Sequence, residues 1–226
     1  MKLQQLKTFK LKHKVGIIAM GLLSLFGCGQ KSSLTQADTD LLNKLNFKQE
    51  LISEITELTK SELKQLPAID HETGDILNDK PFEGVYSEAS EKAIDYVKRL
   101  KSKFRKNGYL IFVFEGQDDK KHVAVIKGTD ELDILRYRRT DGINYDLEND
   151  DIVKKVSEWK TRYGLIVIGC SRDWLQLEFD KLPTDINAFA KEVYEFCPDS
   201  VDQGVGTLDK LTEAIKEMNG VWLWWD

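Results

Sequence analysis

Leu165-Ile166-Val167-Ile168-Gly169-Cys170 is an unbroken apolar run, and after Ser171-Arg172-Asp173 comes Trp174-Leu175-Gln176-Leu177-Glu178-Phe179, which alternates. A short run without polar residues suits a strand covered on both faces. Alternation at a period of two suits a strand with one face on a core, here Leu175, Leu177 and Phe179 inward with Gln176 and Glu178 outward. The three polar residues between them predict a tight turn. A buried strand beside a half-exposed one needs helices on the sheet, and the flanking sequence supplies them.

Upstream, Tyr109–Glu115 and Lys121–Lys127 read as two strands around a turn at 116–120. Leu132–Arg138 alternates Asp133, Leu135 and Tyr137 against Ile134, Arg136 and Arg138, which predicts a further strand. A helix capped by Ser87 buries Ala93, Ile94, Val97, Leu100 and Phe104, and turns Lys98, Arg99, Lys101, Lys103, Arg105 and Lys106 outward. Another, capped by Asn149, carries Ile152, Val153, Val156 and Trp159 on one face. Downstream, Pro183 precedes a helix that buries Ile186, Phe189, Ala190, Val193 and Tyr194, and Pro198 ends it. A last helix holds Leu208, Leu211, Ile215 and Met218, with Gly220 as its cap. Val221–Asp226 closes the chain as an aromatic strand, Trp222 and Trp224 on one face and Trp225 on the other. The order predicts an α+β fold over residues 88–226: one mixed, largely antiparallel sheet with helices packed on it. Residues 38–87 read as a helical segment and loop. Leu41, Leu42 and Leu45, then Leu51, Ile52, Ile55 and Leu58, have helical spacing, Pro67 closes the region, and 68–84 contains Gly74, Pro81 and Gly84.

The chain begins with five lysines and no acid in its first 14 residues, followed by 12 apolar or small residues from Val15 to Phe26. Such a head and stretch form an export signal, and 12 residues are too few for the roughly 20 that a membrane-spanning helix needs. The stretch ends Leu25-Phe26-Gly27-Cys28, which resembles the lipobox of bacterial lipoproteins, although Phe26 is bulkier than that position usually carries. The resemblance implies removal of residues 1–27, diacylglycerol on the Cys28 thiol, a fatty acyl chain such as palmitate on its new amine, and 28–37 as a lipidated tether. More than one acyl chain is what stable anchoring requires. Gly29, rather than Asp, after the cysteine implies the outer membrane if the cell is Gram-negative. The expected location is the cell envelope.

The 226 residues carry a net charge of −5, and without residues 1–27 the charge is −10. An acidic chain lacks the basic surface that nucleic acid requires and is repelled by anionic headgroups, so its expected membrane contact is the anchor alone. Cys170 and Cys197 remain, either as one bridge or as two buried thiols.

Three segments stand out: Asp141-Gly142-Ile143-Asn144-Tyr145; Phe196-Cys197-Pro198-Asp199 with Asp202-Gln203-Gly204; and Leu223-Trp224-Trp225-Asp226. Together they resemble the bacterial family of domain of unknown function 4253, over roughly Tyr109 to Asp226. The resemblance implies a fold grouping and no activity.

Among candidate chemical groups, Asp199, Asp202, Gln203 and Asp226 form the most suggestive set. Converging carboxylates bind Ca²⁺ or Mg²⁺ or share a proton, whereas Asp beside Pro and Gly also accepts backbone hydrogen bonds in turns. Asp141 and Asn144 lie in a second acidic loop without EF-hand spacing, with Gly142 expected at positive φ and Tyr145 as a lid. His71, between Asp70 and Glu72, and His122 are too few for a zinc site. Cys197 at a helix C-terminus has a thiol pKa raised by the dipole, which argues against a thiolate nucleophile. Trp222, Trp224 and Trp225 suit core packing, a sugar ring or a protein hot spot. No phosphate-loop, dinucleotide, zinc-protease or serine-hydrolase pattern is present. The sequence therefore favours a binding or interaction module without cofactor, held to the membrane through Cys28 and facing an envelope protein partner. The competing reading is a metal-assisted hydrolase at Asp199, Asp202 and Asp226.

Overall fold

The computed structural model describes residues 34–116 and 120–226. The export signal, Cys28 and the tether up to residue 33 lie outside these. Seven strands form one sheet in the order β1-β2-β4-β3-β5-β6-β7: β1 Lys64–Ile69, β2 Ile76–Glu88, β3 Tyr109–Glu115, β4 Lys121–Lys127, β5 Leu165–Cys170, β6 Trp174–Phe179 and β7 Gly220–Trp224. All pairings are antiparallel except β3 with β5. The fold is thus α+β, a mixed and largely antiparallel sheet with helices packed against it.

The two-residue period of the strands sorts the core into two layers. Tyr109, Ile111 and Val113 of β3 face one cluster, built with α1 (Gln36–Lys44), α2 (Gln49–Thr59) and α3 (Ala93–Lys106). Leu110, Phe112 and Phe114 face the other, built with α4 (Leu132–Arg138), α5 (Asn149–Tyr163), α6 (Ile186–Phe196) and α7 (Leu208–Met218). In the second layer Glu192 of α6 accepts hydrogen bonds from Trp159 Nε1 (3.0 Å), Arg162 (2.8 Å) and the Tyr163 hydroxyl (2.8 Å) of α5. The fully buried Trp159 therefore has the partner its indole N–H needs.

Several elements differ from the sequence expectation, each for a physical reason. Within 68–84 only residues 70–75 are a turn, and the rest is strand. β1 and most of β2 belong to the sheet, so a boundary at 87/88 falls inside β2. Residues 78–81 of β2 are exposed on both sides and show no alternation, and Pro67 and Pro81 sit opposite each other at a register irregularity. β1 is an edge strand, where a missing N–H is tolerated. Leu132–Arg138 is a helix, not a strand: Leu132, Leu135 and Arg138 turn inward at helical spacing, and Asp133 pairs outward with Arg136 at 2.6 Å. Ser87 lies in β2 and donates to the Ser61 carbonyl rather than capping α3. Glu148 is the N-cap of α5, with Asp151 completing a capping box, while Asn149 turns inward and donates to the carbonyls of Leu135 and Thr140. Tyr194 is exposed and Asn219, not Gly220, ends α7. The basic face of α3 is largely engaged: Lys98 and Lys101 pair with Glu178, Lys103 with Glu54, and Arg105 with Glu131. No helix among the described residues is long and apolar enough to cross a membrane.

Candidate functional site

After α6 the chain passes Cys197 and Pro198 into a π-helical turn, Ser200–Val205. That turn lies beside the end of β7. Asp199, at the start of the turn, is 2 % exposed. Its Oδ1 accepts from the Tyr145 hydroxyl (2.6 Å) and from Gln203 Nε2 (2.8 Å). Its Oδ2 accepts from the backbone N–H of Asp226 (3.0 Å). Burial raises the pKa of this carboxyl, but the bonds from Tyr145, Asp226 and Gln203 outweigh burial and hold it below the ordinary carboxylate value. The same bond stabilises the protonated phenol, so Tyr145 is pushed up to about 12.

Around this carboxylate the two terminal indoles are seated on glycines. A Cβ at Gly142 would stand 2.9 Å from Trp225 Cδ1 and Cγ, and one at Gly204 would stand 2.5 Å from Trp224 Cη2. Gly142 has a negative φ of −133°, so the expected positive φ is corrected: closeness to Trp225, not a left-handed backbone, demands glycine there. Trp225 is buried, meets Phe196 edge-on at 5.8 Å, and hydrogen bonds through its backbone N–H to the Asp173 carbonyl (3.0 Å). The Cys197 thiol donates to the Trp224 carbonyl (2.9 Å).

Asp199, Gln203 and Asp226 thus come together, Asp226 through its backbone N–H and not its carboxylate. Asp202 turns away to accept from the Tyr194 hydroxyl (3.1 Å). Asp141 stands 3.7 Å from Arg172, and Asn144 is exposed. Among the described residues no group of three or more His, Cys, Asp or Glu is placed to hold a metal ion. The arrangement works as a clasp: one carboxylate joins the loop at 141–146, the π-helical turn and the end of β7. Tyr145 is the partner the sequence reading missed. A bond spanning 54 positions leaves no local trace.

Cys170 and Cys197 are free and buried. Burial pushes the Cys170 thiol up to about 12 and is also the main cause of the upward shift at Cys197. Neither is a ready thiolate.

A cleft of about 460 Å³ opens between the β1–β2 turn and the loop leading into α5, lined by His71, Glu72, Arg139, Asp146, Glu148 and neighbouring residues. That is within the range of roughly 300–1,000 Å³ for small-molecule sites. Three arginines fasten the turn that forms one wall: Arg138 donates to the Gly74 carbonyl (3.1 Å), Arg139 to the His71 carbonyl (3.0 Å), and Arg172 pairs with Asp75 (3.4 Å). Asp70 stabilises the turn from within, accepting from the N–H groups of Glu72 and Thr73. The wall is therefore preformed.

The family model described as Domain of unknown function (DUF4253) matches residues 122–226. That span contains all three segments of the clasp and begins within β4. No curated protein and no solved structure matches the chain.

Proposed function

We propose that the chain, which carries a DUF4253 domain over residues 122–226, is a lipid-anchored binding module of the bacterial cell envelope. The observation that carries this is the order of features at the N-terminus: a basic head, 12 apolar or small residues, and Leu25-Phe26-Gly27-Cys28. Only six residues, 29–34, separate Cys28 from Thr35, the N-cap of α1. At about 3.3–3.6 Å per residue, the seven steps from Cys28 to Thr35 reach at most about 25 Å. An anchored chain would therefore hold its domain close to the membrane. Binding rather than hydrolysis is supported by the clasp, which commits both Asp199 oxygens to internal donors, and by a cleft whose walls are already fixed.

The test is metabolic labelling with a clickable palmitate analogue in a bacterial host. The wild-type chain should be labelled and partition with membranes. Cys28→Ser should lose the label and accumulate as the larger precursor. Labelling that survives Cys28→Ser, or a wild type that takes up no label, would refute the anchor.

A further inference from the structure

The helical layer of α1 to α3 reaches as far as β6, where Lys98 and Lys101 pair with Glu178 and Trp174 joins the core of that layer, and it leaves Trp222 of β7 open. β7 is the edge strand. Trp174, Gln176 and Glu178 of β6 share the face turned to that layer, and the register sets Trp224 opposite Trp174 and Trp222 opposite Gln176. Trp222 is 48 % exposed, an unusual state for the largest apolar side chain. Its ring is backed from the Trp224 end of the strand by two others. The Trp174 centroid is 6.3 Å away at 80°, and the Trp224 centroid is 6.0 Å away at 59°. An indole fixed in this way presents its surface with little rotamer entropy left to lose on binding.

Gln176 is the second observation. It lies opposite Trp222 and is nine-tenths buried, yet its amide forms no hydrogen bond among the described residues and still reaches solvent. Its donors and acceptor are unclaimed by the protein and open to water, so a ligand can take the place of that water. Charge narrows the choice. Glu178 is held by Lys98 and Lys101, and Glu115 accepts from Trp174 Nε1 at 3.3 Å. On a strongly acidic chain, this strip offers no unpaired charge to a basic peptide or an anionic headgroup.

We propose that this strip is a carbohydrate site. Trp222 stacks on the C–H face of a neutral pyranose ring, where the negative face of the indole meets weakly positive C–H groups. The Gln176 amide donates to one ring hydroxyl and accepts from another. The proposal rests on the binding-module reading and names its ligand class.

The experiment is a tryptophan-fluorescence and calorimetric titration of the full chain, held in a zwitterionic detergent that contains no sugar. The probes are cellotetraose, chitotetraose, maltotetraose and mannotetraose, which present different faces of neutral pyranoses. The expected result is saturable binding of at least one of them, weakened tenfold or more by both Trp222→Ala and Gln176→Ala. Both variants should melt close to wild type, so that lost binding is not lost folding. If none of the four binds at millimolar concentration, the proposal is overturned. It is also overturned if binding survives both substitutions, or if Trp222→Ala abolishes only attachment to neutral phosphatidylcholine vesicles or capture of a protein partner. Palmitate labelling of the same preparation is read separately. A labelled chain that ignores all four sugars loses the ligand class and keeps the anchor, and an unlabelled chain that binds sugar does the reverse.

Discussion

Asp199→Ala tests whether the acidic cluster is a clasp or a reaction centre. The carboxylate is buried and accepts three hydrogen bonds, from Tyr145 (2.6 Å), Gln203 (2.8 Å) and the N–H of Asp226 (3.0 Å). Hydrogen bonds to a charged group contribute about 1.5–3 kcal/mol each, but Gln203 is exposed and the other two donors are partly so; water recovers much of what they lose, which leaves about 2–3 kcal/mol for the set. For a domain of this size the loss corresponds to a fall of about 4–12 °C in melting temperature. Calorimetry or circular dichroism measures it directly. Asp199→Asn should cost less, because one oxygen still accepts while the amide N–H₂ meets the Asp226 N–H donor to donor. Combined with Tyr145→Phe, the two losses should be less than additive, since they remove the same bond. The pH dependence has a definite sign. The folded pKa of Asp199 is depressed, so its contribution is fully present above the unfolded value of about 3.9 and is lost as pH falls through the folded value. The gap between wild type and Asp199→Asn should therefore be constant from pH 7 to about 5 and close only in more acidic solution. If Asp199→Ala melts at or above wild type, the clasp argument fails, because a carboxylate kept at a cost to stability belongs to a reaction or a ligand.

Two further outcomes follow from the same packing. Gly142→Ala places a methyl group 2.9 Å from the Trp225 indole, and overpacking of this kind should cost about 1–3 kcal/mol; an unchanged denaturation midpoint would show that the loop yields freely. Cys170 and Cys197 are buried with raised thiol pKa values, so among the two, neither should react with Ellman's reagent at pH 8 until denaturant is added, and rapid reaction of either in the native state would contradict the burial.

The sheet was legible wherever side-chain periodicity follows directly from burial. β3 to β6 lie between two helical layers or on one, and their apolar runs or alternation show it. β1 and β2 were not legible, because the first half of β2 projects past the core and its pairing is set by β1 rather than by a hydrophobic pattern of its own. Leu132–Arg138 was ambiguous for a different reason. In seven residues the pattern of Leu132, Ile134, Leu135 and Tyr137 satisfies either period, and only packing against β5 and α5 decides. In the acidic cluster the residue types were legible but not their partners. Asp199 reaches Tyr145 across 54 positions and Asp226 across 27, distances over which local sequence carries no signal. Trp222 shares a face with Trp224 as the alternation indicated, but its exposure at the sheet edge leaves no local signal in the sequence.

The clasp also bears on the aromatic strip, because both use β7. A strand places alternate residues on opposite faces, so a slip of one position would send Trp222 inward and Leu223 out. β7 is short and lies at the sheet edge, where pairing with β6 alone specifies register weakly. What fixes it is the chain end: Trp225 packed on Gly142, Trp224 against Gly204, the Trp224 carbonyl on the Cys197 thiol, and the Asp226 N–H on Asp199. Four contacts from two distant segments hold three consecutive residues in one register. The family-like segments therefore serve the binding surface. Trp224 packs on Trp222 directly, and the contacts of Trp225 and Asp226 hold both in register, so the aspartates support the proposed aromatic strip rather than form it.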